Sequence, residues 1–533
     1  MYLPSDMSEV EEQLAICSKS GRELDVRFKG PESRSIRAEV ISALICKTGE
    51  DSSSTAALRV RGANVVGALN LGSQELQGPL ALRDCNLGNL ILAKTKADNI
   101  VLRGSRLASV SARGLQVENT LNIGQGFRCS GRVMLIGAQI GSLEATWGNF
   151  LAGTGEAFNA DYITVVKNAY LEGARIKGAL RMIGASIGGQ LDCTDLRVDG
   201  ADEEDAFLAD SVKVADSLML AGAFISGNTW LLGSQIGGQL NAVGALLMSL
   251  EGTSLNAAGI SVEGTVDLQG AYIYGTTSFS GAHVQGEMNF KGSRLFAIGE
   301  GDAVDLSTCS VGRTIYFDPL EVSGRLNLTD AKVQTWDDLG GQKPEELSLV
   351  GFTYDFINVR AMGTRERVNW LRLQRNYSPQ PYAQLISTLR KMGDDRAADR
   401  VGISSQWTRR RQPTGWRRTP SILWSALLAS LIGFGYAPAR ALWWFAGLLT
   451  VGAYGAHMLA RLHQLVPRGT SGTAPFNPVR YTVDLLFPIA QLREADDYVA
   501  IGAWAWFPFS YQLIGWLLGA IFVAGLTGVF RRS

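Results

Sequence analysis

An apolar residue returns about every 11 positions through the first two thirds of the chain, with glycine at two fixed places in most units. GARIKGALRMI from Gly173, GASIGGQLDCT from Gly184, GAYIYGTTSFS from Gly270 and GAHVQGEMNFK from Gly281 share the pattern G-[AS]-x-[IV]-x-G. The central apolar position can be followed from Val65 through Cys129, Ile140, Leu151, Val165, Ile176, Ile187, Ile236, Ile273 and Val311 to Val333. Between Leu87 and Val117 the step shortens to about five, through Leu92, Ala97, Leu102, Leu107 and Ala112.

In a helix, an 11-residue period would build a right-handed coiled coil. The glycines exclude it, because each costs about 1 kcal/mol inside a helix relative to alanine. Ala282, Val284, Met288 and Phe290 also fall at even spacing, so they share one face of an extended chain. Each unit therefore divides into a five-residue and a six-residue side joined at glycine turns, and two units make one coil with four sides. Such a coil has no core of its own and gains one by stacking on its neighbours. The five-residue stretch from Leu87 to Val117 resembles the pentapeptide-repeat proteins, and the 11-residue units differ from it by one extra residue in alternate sides. Over roughly residues 56–340, within a solenoid domain expected at 56–345, the resemblance implies a mainly β fold, a right-handed quadrilateral β-helix. It implies no single activity.

Insertions near Gly153–Asn159, Gly200–Ala209, Ser249–Ala258 and Ala297–Leu306 recur at roughly 49-residue intervals and are expected to project from one corner. A solenoid needs covered ends. SEVEEQLAICSKSG and SIRAEVISALIC, within residues 1–55, read as a helical cap, and LVGFTYDFINVRAMG reads as the last strands. Residues 346–419 read as a basic linker, largely helical, and residues 420–533 as a membrane module. The 61 glycines stand against only 15 prolines, which favours repeated tight turns over disorder. The solenoid is acidic by roughly eight charges, and the remainder is basic by a similar amount.

In the last part, 441–459 and 509–530 are long and apolar enough to predict two spans, with a short apolar segment at 481–490 between them. The 14-residue stretch Leu423–Tyr436 is short for a span. Arg409, Arg410, Arg411, Arg417 and Arg418 precede the module, and Arg531 and Arg532 follow it. By the positive-inside rule both flanks are cytoplasmic, which predicts a multi-pass protein of the bacterial inner membrane with solenoid and termini in the cytoplasm. The five preceding arginines are expected to meet anionic lipid headgroups. The order span, short segment, span resembles the pore module of two-transmembrane potassium-type channels, with YTVDLLFPIAQL in the place of their pore helix. No Gly-Tyr-Gly filter follows it, so a degenerate pore or an anchor is expected. Asp484, the acidic residue of the short segment, and Arg480 four residues before it are the candidate polar site.

Nothing in the chain predicts catalysis. His283, His457 and His463 do not cluster with cysteines or paired carboxylates. The six cysteines form no Cys-x-x-Cys pair and read as small buried residues. GTGEAF at Gly153 lacks the third glycine of a dinucleotide fingerprint. The run Asp202, Glu203, Glu204, Asp205 lacks the spacing of a calcium loop. The expectation is thus a membrane-anchored, non-enzymatic scaffold or sensor without catalytic, metal or cofactor residues. Its expected partners are membrane lipids, further copies through the membrane module and a protein on the solenoid, with nucleic acid disfavoured. Two other readings stand beside it: a membrane-associated oxidoreductase, and a DNA-mimicking module of the kind by which some pentapeptide-repeat proteins inhibit topoisomerases.

Overall fold

A computed structural model describes residues 4, 6–30, 32–46, 57–200, 205–338, 340–358, 363–411, 430, 431, 433, 440–468, 476–487 and 494–526. The chain divides into two compact units, Met1–Arg375 and Asn376–Ser533.

The first unit is a β-solenoid of about 13 stacked parallel coils. The registers give the length of a coil directly. Where the step is five, Leu87 pairs with Leu107, four steps further along the chain. Where the repeat unit is longer, Val165 pairs with Ile187, and Val214 with Ile236, in each case two whole units on. Coils that carry an insertion are longer still, as where Ile187 pairs with Val214. Each coil has four sides, as at Ser186–Ile187, Leu191–Asp192, Arg197–Asp199 and Asp205–Leu208. Because side chains alternate in an extended chain, one residue of each pair enters the core. Val165, Ile187, Val214, Ile236, Val262 and Val284 thereby form one buried stack. The repeat slips once. Cys129 pairs with Phe150, so Phe150 is buried and Leu151, expected inside, faces outward.

All four insertions fall between the third and fourth sides, in alternate coils. Two are bulges in long strands, between Leu151 and Glu156 and between Met248 and Thr253. The other two separate Asp199 from Asp205 and Phe296 from Asp302. The corners need positive φ, which Gly184 (64°) and Gly270 (66°) supply. Trp147 (57°) and Tyr162 (56°) adopt the same conformation at a cost of about 1–2 kcal/mol each. Their rings lie over glycines of the next coil, where a Cβ on Gly173 or Gly184 would come within 2.5 Å and 2.9 Å of them. A second device recurs at these corners. Asn159, Asp192, Asn241, Asp267 and Asn289 each accept a hydrogen bond, at 3.0–3.1 Å, from the backbone N–H two residues on. These Asx turns explain the frequency of Leu-Asn, Leu-Asp and Val-Asp at the ends of sides.

Both ends are closed. Helix α1 (Glu9–Ser20) starts in a capping box between Ser8 and Glu11, and α2 (Ala38–Ile45) packs beside it. The buried Glu11 carboxylate also accepts from the backbone N–H of Arg37 at 2.9 Å and from its guanidinium at 2.8 Å. At the far end, strands Glu346–Ser348 and Thr353–Ile357 complete the last coil. Helix α3 (Thr364–Leu371) covers it, with the Trp370 ring 6.1 Å from Trp336. Arg367 of α3 is 2 % exposed and forms an ion pair of 2.5 Å with buried Asp338. Its second nitrogen donates to the Asn358 carbonyl at 2.7 Å.

The second unit is helical: α4 (Pro379–Lys391), α5 (Asp395–Arg411), α6 (Arg440–Arg461), α7 (Pro478–Leu486), α8 (Glu494–Asp497) and α9 (Phe507–Leu526). A two-stranded antiparallel ribbon joins Leu465–Pro467 to Tyr498–Ala500. The stretch 346–419 is therefore shared out: its strands and α3 belong to the first unit, and α4 and α5 to the second. Ile403 and Trp407 of α5 pack on a cluster formed by Leu431, Ala441, Phe445 and Leu518.

Candidate functional site

The short segment of the second unit is a helix with a defined start. Asn477 caps α7, accepting from the N–H groups of Val479 at 3.0 Å and Arg480 at 3.2 Å, and Pro478 occupies its first turn. This phase turns Tyr481, Thr482, Leu485 and Leu486 inward and Arg480 outward. The helix packs against α6 and α9. Two glycines make room for it. A Cβ on Gly452 would strike Thr482 and the Tyr511 ring, and one on Gly515 would strike the Leu486 carbonyl. Asp484 is 9 % exposed, and its carboxylate accepts from the Ala495 N–H at 3.0 Å. That bond ties α7 to the start of α8, a structural use of the one acidic residue in the segment. The Tyr481 hydroxyl is buried with no hydrogen-bond partner among the described residues. The remainder of the expected pore segment, 488–490, lies outside the described residues.

Helices α6 and α9 of this unit expose large apolar side chains. Trp443, Val451 and Tyr454 of α6 and Phe509, Leu513 and Trp516 of α9 are all exposed. Contiguous exposed apolar surface of this kind marks contact with lipid or protein. Among the described residues one helix, Gly502–Ala524, is long and apolar enough to cross a membrane. The expected span at 441–459 is helical, but Trp443, Trp444, Tyr454 and His457 lower its apolarity and it does not meet that measure. Of the two spans read from sequence, one overlaps a helix that meets this measure among the described residues. Residues 527–530 of the other expected span, 509–530, lie outside the described residues, as do Leu423–Ala429, Arg417, Arg418, Arg531 and Arg532. Arg409 is exposed near the end of α5, which Arg410 and Arg411 complete.

Among the described residues no group of three or more His, Cys, Asp or Glu side chains could hold a metal ion. His283 projects from a first side, in register with Ser261 and Ser310. His457 and His463 are exposed. Burial pushes the thiol of Cys85 up to about 11 and that of Cys309 to about 12, and it raises Cys193 as well. Such thiols are poor nucleophiles. Asp205, the described end of the acidic run, accepts from the Trp230 indole at 2.6 Å, and residues 201–204 lie outside the described residues. Gly153 and Gly155 of GTGEAF sit in a bulged strand, not before a helix.

Register reveals one arrangement that linear reading missed. On the third side Arg106, Arg128, Asn149, Arg175 and Arg197 stack in consecutive coils. Their spacing along the chain varies with the slips and insertions, so no fixed period marks them. In comparisons with known proteins, no family model, curated protein or solved structure matches this chain. Fold and surfaces define its class: a capped β-solenoid joined to a helical unit in which two helices, α6 and α9, expose apolar side chains.

Proposed function

We propose that the chain is a membrane-bound, non-enzymatic binding protein, in which the helical unit associates with a lipid bilayer and the solenoid presents a rigid surface to a partner. The exposed apolar face of α6 and α9 carries this reading, because water disfavours so many exposed Trp, Phe, Leu and Val side chains on neighbouring helices. Arg409, Arg410 and Arg411 at the end of α5, with Arg417 and Arg418 beyond, supply a basic flank for anionic headgroups and favour a cytoplasmic solenoid. Further copies would associate through the same apolar faces. The four-sided coil, closed in four steps of five from Leu87 to Leu107, supports kinship of the solenoid with pentapeptide-repeat folds. The test is flotation of the full chain with phospholipid vesicles after an alkaline carbonate wash. Retention with the vesicles is expected. Quantitative release as soluble, monodisperse protein would refute the reading.

A further inference from the structure

The third side of the solenoid carries an outward column of two chemically distinct halves. Its first half holds Arg106, Arg128, Arg175 and Arg197, with Asn149 between the second and third. All four arginines are exposed, and none forms an ion pair with a described residue. Coils stack about 4.8 Å apart, so the four span about 19 Å. Like charges in register on a sheet are destabilising, and no described acidic side chain forms an ion pair with these four. In the same column the residues that follow are Phe224, Leu246 and Tyr272, and then Arg294. Beside them Met248, Tyr274 and Phe296 stack in the parallel column, with the Phe296 ring 5.3 Å from Tyr272 and 6.3 Å from Tyr274. A shallow groove of about 330 Å³ crosses the junction between the halves, lined by Leu151, Arg175, Lys177, Arg197, Asp199 and Phe224.

We infer that this side is the docking surface for a polypeptide segment in which an acidic run is joined to an apolar run, laid along the solenoid axis. The inference rests on the reading of the solenoid as a binding surface and names the chemistry of its partner. Arginine forks pair with carboxylates in planar, bidentate fashion, which suits Glu and Asp side chains. The segregation of the two halves decides between classes of macromolecule. A nucleic acid or an acidic polysaccharide carries its charge along its whole length and would leave Phe224, Leu246, Tyr272 and Phe296 facing a charged polymer. A polypeptide alone of these can change from anionic to apolar within about 20 Å, roughly six extended residues.

The test uses the full chain in neutral-lipid nanodiscs, with empty nanodiscs as the blank. The probe is a fluorescent peptide of about six glutamates followed by about six Leu and Phe residues, compared with the same composition in scrambled order. The ordered peptide is expected to bind at least about tenfold more tightly, and its affinity to fall as salt rises from about 50 to about 300 mM. Reversal of Arg128, Arg175 and Arg197 to Glu should abolish binding. Tyr274→Ser with Phe296→Ser should weaken it about tenfold while leaving the salt dependence in place. If the triple variant does not fold, Arg175→Gln alone against the Tyr274/Phe296 pair reads the same two contributions. Equal affinity for the scrambled peptide, tighter binding of a single-stranded oligonucleotide or a polyuronate, or no binding at all would overturn the inference. So would salt-dependent self-association lost in the triple variant, which would make a second copy the occupant. Peptide binding by a chain that fails to float with vesicles would refute only the membrane reading. Flotation without peptide binding would refute only this one.

Discussion

The two units satisfy their backbones in different ways, and their exteriors differ accordingly. In the solenoid each coil bonds to its neighbours: the Val166 N–H donates to Ile140 of the coil before it, and the Leu171 N–H to Asp192 of the coil after. The outward residues of the first side are then free to be Ser, Thr and Gln, as at Thr164, Ser186, Gln235 and Ser261. In α6 and α9 of the second unit the bonds close within each helix, and many outward residues are Trp, Phe, Leu and Val. Closed backbone bonding with exposed apolar side chains is what a bilayer demands; stacked parallel coils with capped ends and a largely polar first side suit water.

If the solenoid depends on capped stacking, its ends are where it breaks most easily. The largest expected effect is at Arg367. Arg367→Ala leaves Asp338 buried without its partner, at a cost of about 3–5 kcal/mol. Amide exchange should quicken in strands 346–348 and 353–357 and stay unchanged near Val214 and Ile236. Uniform acceleration in both regions would show that the coils unfold together and not from the end.

The opposite end should respond to acid. Hydrogen bonds from Arg37 hold the Glu11 carboxyl at about 2, below its ordinary 4.5. A lowered folded value means that the stabilisation is complete above about pH 4.5 and is lost as pH falls through about 2. Glu11→Gln should cost roughly 2–3 kcal/mol at neutral pH and flatten this acid dependence in the exchange of residues 9–45. The smallest effect is at a corner. Asn289 accepts from the Lys291 N–H at 3.1 Å and donates to Asp267 at 3.0 Å. Asn289→Ala should cost about 1 kcal/mol, detectable as a local loss of protection at Lys291 without change at either cap.

The coil was legible because its period is set by apolar residues that must all enter one core. The sites of insertion were legible for the same reason, since the period resumes after each. The slip at Phe150 was not, because Leu151 is equally apolar and only the pairing with Cys129 chooses between them. The Asx turns were hidden because Asn and Asp at the ends of sides look like ordinary solvated residues until the backbone N–H two positions on is seen to bond them. The arginine column was hidden because its members become neighbours only through register. In the second unit, 441–459 is helical, and among the described residues Gly502–Ala524 is the helix long and apolar enough to cross a membrane. Asp484 stood out as an acidic residue in an apolar segment, but its bond to the Ala495 N–H depends on a fold that brings α8 back to α7.

The difference between the two exteriors can be measured directly by spin-label accessibility in phospholipid nanodiscs. Single labels at Trp443→Cys, Tyr454→Cys and Leu517→Cys would report the helical unit, and labels at Ser261→Cys and Ser226→Cys the solenoid. The expected result is relaxation by oxygen over a water-soluble nickel complex at the first three sites and the reverse at the other two. Equal access of the nickel complex to all five would place both units in water and contradict the account.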